Sequence, residues 1–99
     1  EIIKVRNLLN LTIDEMEQRV KEGAILIDVR IESEHLNNGL SGSLNIPLSQ
    51  LRSEMVKLDK KAKYILYCDT ARRSSTAAFL MSQSGFESYV LRGGHLDPG

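Results

Sequence analysis

The residue best placed to do chemistry is Cys68, the chain's one cysteine, which is followed by Asp69, Thr70, Ala71, Arg72 and Arg73. A thiol reacts as its thiolate, and an ordinary cysteine, with a pKa of about 8.5, is mostly protonated near neutrality unless a helix N-terminus or a cation stabilises the charge. Both devices are at hand. A helical pattern begins at Ser74, so its unsatisfied N–H groups point back at the loop, and successive amides from Asp69 to Arg73 can curl into an anion-binding nest. Arg72 and Arg73 add local positive charge. The Asp69 carboxylate opposes this effect, and its side chain is expected to turn outward. The competing reading is inert packing, the usual fate of a lone cysteine in an apolar context. Five polar or small residues, two of them arginine, at a strand-to-helix junction are a poor way to build a core, and they tilt the balance toward a reactive sulfur.

Other polar residues carry plainer expectations. Asp28 and Arg30 should tie the sheet edge to its loops by hydrogen bonds and an ion pair, giving structural support rather than proton transfer. His35 and His95 have no partner nearby in sequence and read as surface or loop residues. Lys57, Lys60, Lys61 and Lys63 form a basic cluster of the kind usually found in a solvated turn. Gly93-Gly94 suits a turn better than a phosphate cradle. One cysteine and two scattered histidines give no metal-ligand spacing, so neither a metal nor a cofactor is expected.

The elements that must position Cys68 follow from hydrophobic periodicity. Thr12 and Glu15 form a capping-box pattern, and Ile13, Met16 and Val20 recur at helical spacing until Gly23, which predicts a helix over 13–22. Residues 24–29 are a continuous apolar run closed by a charge, as in a strand buried on both faces. The polar stretch 31–38 allows one helical turn before the Asn37-Asn38-Gly39 turn signal. A short strand over 43–46 ends at Pro47, and Ser49 can cap a helix reaching about Leu58. Residues 64–67 form the next buried strand, 74–84 a helix stopped by Gly85, and 88–91 a last strand. Strands alternating with helices over short connections predict an α/β fold, a three-layer domain with a mostly parallel central sheet flanked by helices. Cys68 then lies beyond the carboxyl end of a strand, where open parallel sheets bind ligands.

Size and charge narrow the function classes. The 99 residues suffice for one core, expected over 11–99, with residues 1–10 as a tail, a linker or a short edge strand. Thirteen basic and thirteen acidic residues cancel, so no overall field attracts nucleic acid or an anionic membrane, and neither is expected as a partner. No apolar run spans a bilayer and no secretory signal is visible, which gives a cytoplasmic expectation. The chain begins at Glu1 without methionine, so further domains of a longer protein are expected as partners.

Several blocks, in order, resemble the rhodanese family. The stretch 68–74 is similar to the six-residue active-site loop and following serine of single-domain rhodaneses. Leu26 to Arg30 with Glu34 resembles the family's aspartate-valine-arginine block, and Gly42 to Leu48 its glycine to asparagine-isoleucine-proline segment. Gly85-Phe86 and Leu91 to Gly94 resemble its C-terminal glycine segments. Departures are Gly39 and Ser41 where the family often has histidine and proline, Ile31 in place of an acidic residue, and Ala71 at the loop's usual glycine.

The resemblance implies a sulfurtransferase of the thiosulfate sulfurtransferase type. Cys68 would take a sulfur from a small anionic donor such as thiosulfate, carry it as a persulfide, and pass it to a thiophilic acceptor such as cyanide or a thiol. Asp69, Thr70, Ala71, Arg72 and Arg73 would hold the anionic sulfur and the donor. Two alternatives remain in view: a non-enzymatic regulatory or docking module of a larger protein, and a cysteine phosphatase or arsenate reductase of the same fold. The latter would place its arginine six residues after the cysteine, where this chain has Ser74.

Overall fold

A computed structural model describes residues 10–69 and 72–91. The described chain builds five parallel strands: β1 (Asn10–Leu11), β2 (Ile25–Asp28), β3 (Leu44–Asn45), β4 (Lys63–Tyr67) and β5 (Glu87–Leu91), in the spatial order β1-β5-β4-β2-β3. Four helices connect them: α1 (Ile13–Lys21), α2 (Glu32–Asn38), α3 (Leu51–Met55) preceded by a 3₁₀ turn over Leu48–Gln50, and α4 (Arg72–Gln83). The chain is thus an α/β domain with a parallel central sheet.

Local chemistry explains the clearest elements. At the start of α1, Thr12 Oγ1 accepts from the Glu15 N–H (3.2 Å) while Glu15 Oε1 accepts from the Thr12 N–H (2.8 Å), the reciprocal capping box that the sequence predicts. Strands β2 and β4 pair from Ile25↔Tyr64 to Asp28↔Tyr67, and this register aligns two apolar runs that are buried on both faces.

Alternation along β4 separates two cores. Tyr64, Leu66 and Cys68 face one side, where Ile27, Val29, Leu51, Ala77, Ala78, Met81 and Phe86 pack, so that α3 and α4 form a layer. Ile65 and Tyr67 face the other, with Leu11, Leu26, Leu91 and Met16 of α1. The Tyr64 and Phe86 rings meet edge to face, with centroids 5.8 Å apart.

Three expectations about elements are corrected. The stretch 31–38 forms a seven-residue helix, Glu32–Asn38 behind an Ile31 N-cap, rather than a single turn. Ser49 does not cap a helix: it lies inside the 3₁₀ turn that Pro47 starts, and α3 ends at Met55, short of Leu58. Helix α4 begins at Arg72, two residues before the predicted start, so both arginines occupy its first turn and not the loop. Of residues 1–10, Asn10 belongs to the edge strand β1, which pairs with β5. Gly93-Gly94 and His95 lie outside the described residues.

Candidate active site

All strands are parallel, so their carboxyl ends share one edge. The chain leaves β2 toward β3 on one side and leaves β4 toward β5 on the other, so the β2/β4 boundary is the point where the winding reverses. Such a boundary opens a crevice beyond the strand ends. Cys68 directly follows β4 there, and Asp28 closes β2 beside it.

The Cys68 side chain is fully buried. Its sulfur meets one residue in two ways. The Ser74 backbone N–H donates to Sγ at 3.4 Å, and the Ser74 hydroxyl lies 3.3 Å from the same atom. Ser74 is itself fully buried in the first turn of α4, where helix N–H groups have no intrahelical acceptor. The amide found on the sulfur therefore comes from one position beyond the 69–73 stretch expected to supply it. Thr70 and Ala71 lie outside the described residues.

The arginines differ. Arg73 donates from Nη1 to Glu34 Oε1 (2.9 Å) and from Nη2 to Glu34 Oε2 (3.3 Å) and Asp69 Oδ1 (3.2 Å). The hydrogen bond to Glu34 is the main reason that the Arg73 pKa is raised, and the same bond holds the Glu34 carboxyl below its usual range. Asp69 is partly exposed, as an outward-turned side chain would be, but it also pairs with Arg73. Arg72 is exposed.

On the other face of the sheet, Asp28 and Arg30 form a buried pair, with Arg30 Nη2 at 2.9 Å and Nε at 3.0 Å from the carboxylate oxygens. The Arg30 backbone N–H adds a bond to Asp28 Oδ1 (2.9 Å). His35 Nδ1 donates to Asp28 Oδ2 at 3.1 Å, so His35 is not the partnerless surface residue expected. Helix α2 brings it over the strand end, a relation that sequence spacing does not reveal. Burial alone would push the Asp28 pKa up, but the bonds from Arg30 and His35 outweigh it and hold the carboxyl below its usual range. Arg30 Nη1 reaches Asn38 Oδ1 (2.9 Å), and its guanidinium lies over the Tyr67 ring. The Tyr67 hydroxyl accepts from the Leu40 N–H at 2.8 Å and bonds the Ser43 hydroxyl, fixing the loop that follows α2.

Gly39 also has a structural reason. A Cβ there would lie 2.5 Å from His35 Nδ1 and 2.7 Å from the His35 carbonyl, so with His35 on Asp28 no side chain fits at 39. The departure at this position and the histidine four residues earlier belong together.

Comparisons with known proteins agree with this geometry. A model of the rhodanese-like domain matches residues 12–96. The uncharacterized protein YqhL of Bacillus subtilis is 39% identical over 72 residues, covering 72% of this chain and 57% of the relative. The thiosulfate sulfurtransferase PspE of Escherichia coli is 29% identical over 73 residues, 72% of this chain and 70% of that protein. The tRNA sulfurtransferase of Shewanella loihica is 28% identical over 99 residues, and there the match covers only 20% of the relative. Among solved structures, a rhodanese-related protein from Thermoplasma volcanium superposes with a TM-score of 0.80 at 28% identity, covering 86% of this chain and 84% of that one.

Proposed function

The chain belongs to the rhodanese-like domain family, and from that premise we propose that it is a sulfurtransferase that carries sulfane sulfur on Cys68. The donor is a small anion such as thiosulfate, and the acceptor is a thiophile such as cyanide or a thiol. In the first step the Cys68 thiolate attacks the outer sulfur of thiosulfate. A bond forms between the two sulfurs, the sulfur–sulfur bond of the donor breaks, and sulfite leaves with its electron pair. In the second step cyanide attacks the outer sulfur of the persulfide, giving thiocyanate and restoring the thiolate. Charge and atoms balance in both steps without a redox partner or a cofactor.

The observation that carries this reading is the double contact of Ser74 with the Cys68 sulfur at the start of α4. The helix-terminal N–H and the hydroxyl can both donate to this sulfur, the kind of contact that a thiol nucleophile uses in covalent catalysis. In this reading the amides of Asp69, Thr70, Ala71, Arg72 and Arg73 complete the cradle for the outer sulfur, and Asp28 with Arg30 buttresses the strand ends. Two relatives named as sulfurtransferases support the chemistry. We place the reaction in the cytoplasm, where a lone thiol stays reduced, with neither nucleic acid nor membrane required.

The test is intact mass spectrometry after thiosulfate treatment. One added sulfur is expected on the wild type, removable by cyanide, and none on Cys68→Ala. A folded wild-type sample that gains no sulfur overturns the proposal.

A further inference from the structure

Cys68 is fully buried at the carboxyl edge of the sheet, so a molecule bound for its sulfur first meets the side chains exposed on that edge. Ile31 is one of them. The Val29 N–H donates to the Tyr67 carbonyl at 3.0 Å, which keeps the chain leaving β2 beside the chain leaving β4, and Ile31 and Cys68 lie on those two segments. The Ile31 N–H donates to Glu34 Oε1 at 3.2 Å, the oxygen that also accepts from Arg73 Nη1, and Arg73 Nη2 reaches Asp69. Two side chains thus tie Ile31 to the residue next to Cys68. Of the large apolar side chains exposed among the described residues, that of Ile31, 55% exposed, is the one whose backbone belongs to this chain of bonds.

Folding gives no reason for an isoleucine at this position. Residue 31 is the N-cap of α2, where Ser, Thr, Asp or Asn would accept from the first free N–H groups and Ile has no atom to do so. Its side chain is not spent on packing either, since no residue of α2 is buried and Ile31 joins neither core cluster. A choice that breaks a local folding rule beside a reactive group points to function. Of the two substrates in the proposed reaction, thiosulfate has no apolar part, so an apolar contact on this edge serves the acceptor.

We infer that Ile31 is a specificity-determining residue that receives the organic part of the sulfur acceptor, and that this acceptor is a thiol on an apolar carbon chain. This rests on the sulfur-transfer reading above and narrows its acceptor class. The acceptor thiolate attacks the outer sulfur of the Cys68 persulfide. A bond forms between those two sulfurs, the bond to Cys68 breaks, and Cys68 leaves as its thiolate while the product carries the transferred sulfur as an alkyl persulfide. Atoms and electrons balance without a redox partner. Thiophiles that lack a carbon chain, cyanide among them, gain nothing from Ile31.

The test reads two rate ratios, each for an apolar reagent against a smaller or more polar one of the same chemistry. In the first, N-hexyl iodoacetamide and iodoacetamide, both neutral, alkylate Cys68. In the second, butanethiol and mercaptoethanol take sulfur from the persulfide formed with thiosulfate. Ile31→Ser should lower both ratios roughly tenfold, the low end of what one methylene-sized contact gives in a pocket. The same variant should raise the melting temperature by roughly 4 °C, because serine supplies the missing cap. Ile31→Leu should restore both ratios. A merely structural role would move the two reagents of a pair alike, and a loss of stability cannot explain ratios that fall while stability rises. Unchanged ratios in Ile31→Ser, or an equal slowing of both reagents in each pair, overturn the inference, and a fall confined to alkylation overturns the acceptor class. A wild type that gains no sulfur from thiosulfate overturns the transfer reading instead, and the alkylation ratio then still decides whether Ile31 receives apolar groups bound for Cys68.

Discussion

The two faces of the sheet meet at its carboxyl edge, and they treat their buried polar groups in opposite ways. Behind Tyr67, Asp28 receives bonds from the Arg30 side chain, the Arg30 backbone and His35, while Arg30 also reaches Asn38. Behind Leu66, the Cys68 side chain packs in the apolar cluster, and its sulfur hydrogen-bonds only with Ser74 among the described residues. The first arrangement fills the donors and acceptors it has and leaves little for a ligand. The second gives its one sulfur a single hydrogen-bonding residue among the described ones. A closed network specifies a shape, whereas a sulfur held by one residue can change its bonding. The difference teaches that burial alone does not separate a structural polar group from a reactive one, since Asp28 and Cys68 are equally buried.

The strongest way to break this comparison is to open the closed side. Asp28→Ala leaves Arg30 buried without its counter-charge, and removing one partner of a buried pair typically costs about 3–5 kcal/mol. We expect a fall of that size in urea unfolding with an unchanged slope, while the folded fraction still alkylates Cys68 at close to the wild-type rate. Replacing both partners with apolar residues should recover much of the loss. If Asp28→Ala silences Cys68 while stability holds, the two faces are not separate.

The second prediction concerns the fit between α2 and the loop after it. Gly39→Ala puts a methyl group within 2.7 Å of the His35 ring and carbonyl, and overpacking of this kind costs about 1–3 kcal/mol. Adding His35→Ala should relieve the clash with the ring but not the clash with the backbone, so the double variant should recover only part of the lost thermal stability. Full recovery would mean that the carbonyl gives way easily.

How far the sequence carries depends on where the information lies. Helix α1 is legible because its start signal is local: Thr12 and Glu15 bond each other within one turn. Strands β2 and β4 are legible because apolar runs buried on both faces have no other use. Helix α2 is not. Its N-cap is Ile31, which has no side-chain oxygen to offer, and none of its residues is buried. It is held instead by Glu34 on Arg73, His35 on Asp28 and Asn38 on Arg30, partners 39, 7 and 8 residues away. Periodicity cannot register bonds of that range. The same limit governs the site. Cys68 and the arginines are visible as residue types, but the capture of Arg73 by Glu34 depends on α2, so the sequence leaves the two arginines equivalent. Ser74 is visible as part of a motif, and its contact with the sulfur depends on α4 beginning early enough to place the Ser74 N–H in the first turn.

The sulfur's side of the comparison can be sharpened by a smaller change. Ser74→Ala removes the hydroxyl beside the sulfur and keeps the N–H. A hydrogen bond to a charged group contributes about 1.5–3 kcal/mol, and one of two contacts remains. Alkylation by iodoacetamide at neutral pH should therefore slow about tenfold. Stability should fall by less than in Asp28→Ala. A variant that reacts like the wild type would show that the amide alone holds the sulfur.

The smallest expected effect tests whether the pair beside the site behaves like the pair behind it. Both Asp28 and Glu34 have carboxyl pKa values held below their ordinary ones, so each contributes stability that is present above the unfolded-state value and is lost as the pH falls through the folded one. The Arg30–Asp28 pair is buried, whereas Arg73 and Glu34 are each about one-third exposed (34% and 32%), so solvent weakens the latter. A pair of that kind contributes no more than about 1 kcal/mol. Glu34→Gln should therefore lower stability slightly at pH 7 and make the acid limb of the stability curve only a little shallower. Asp28→Asn should flatten that limb much more. If the two variants flatten it equally, Glu34 and Arg73 form as closed a network as Asp28 and Arg30, and the contrast between the two faces rests on the sulfur alone.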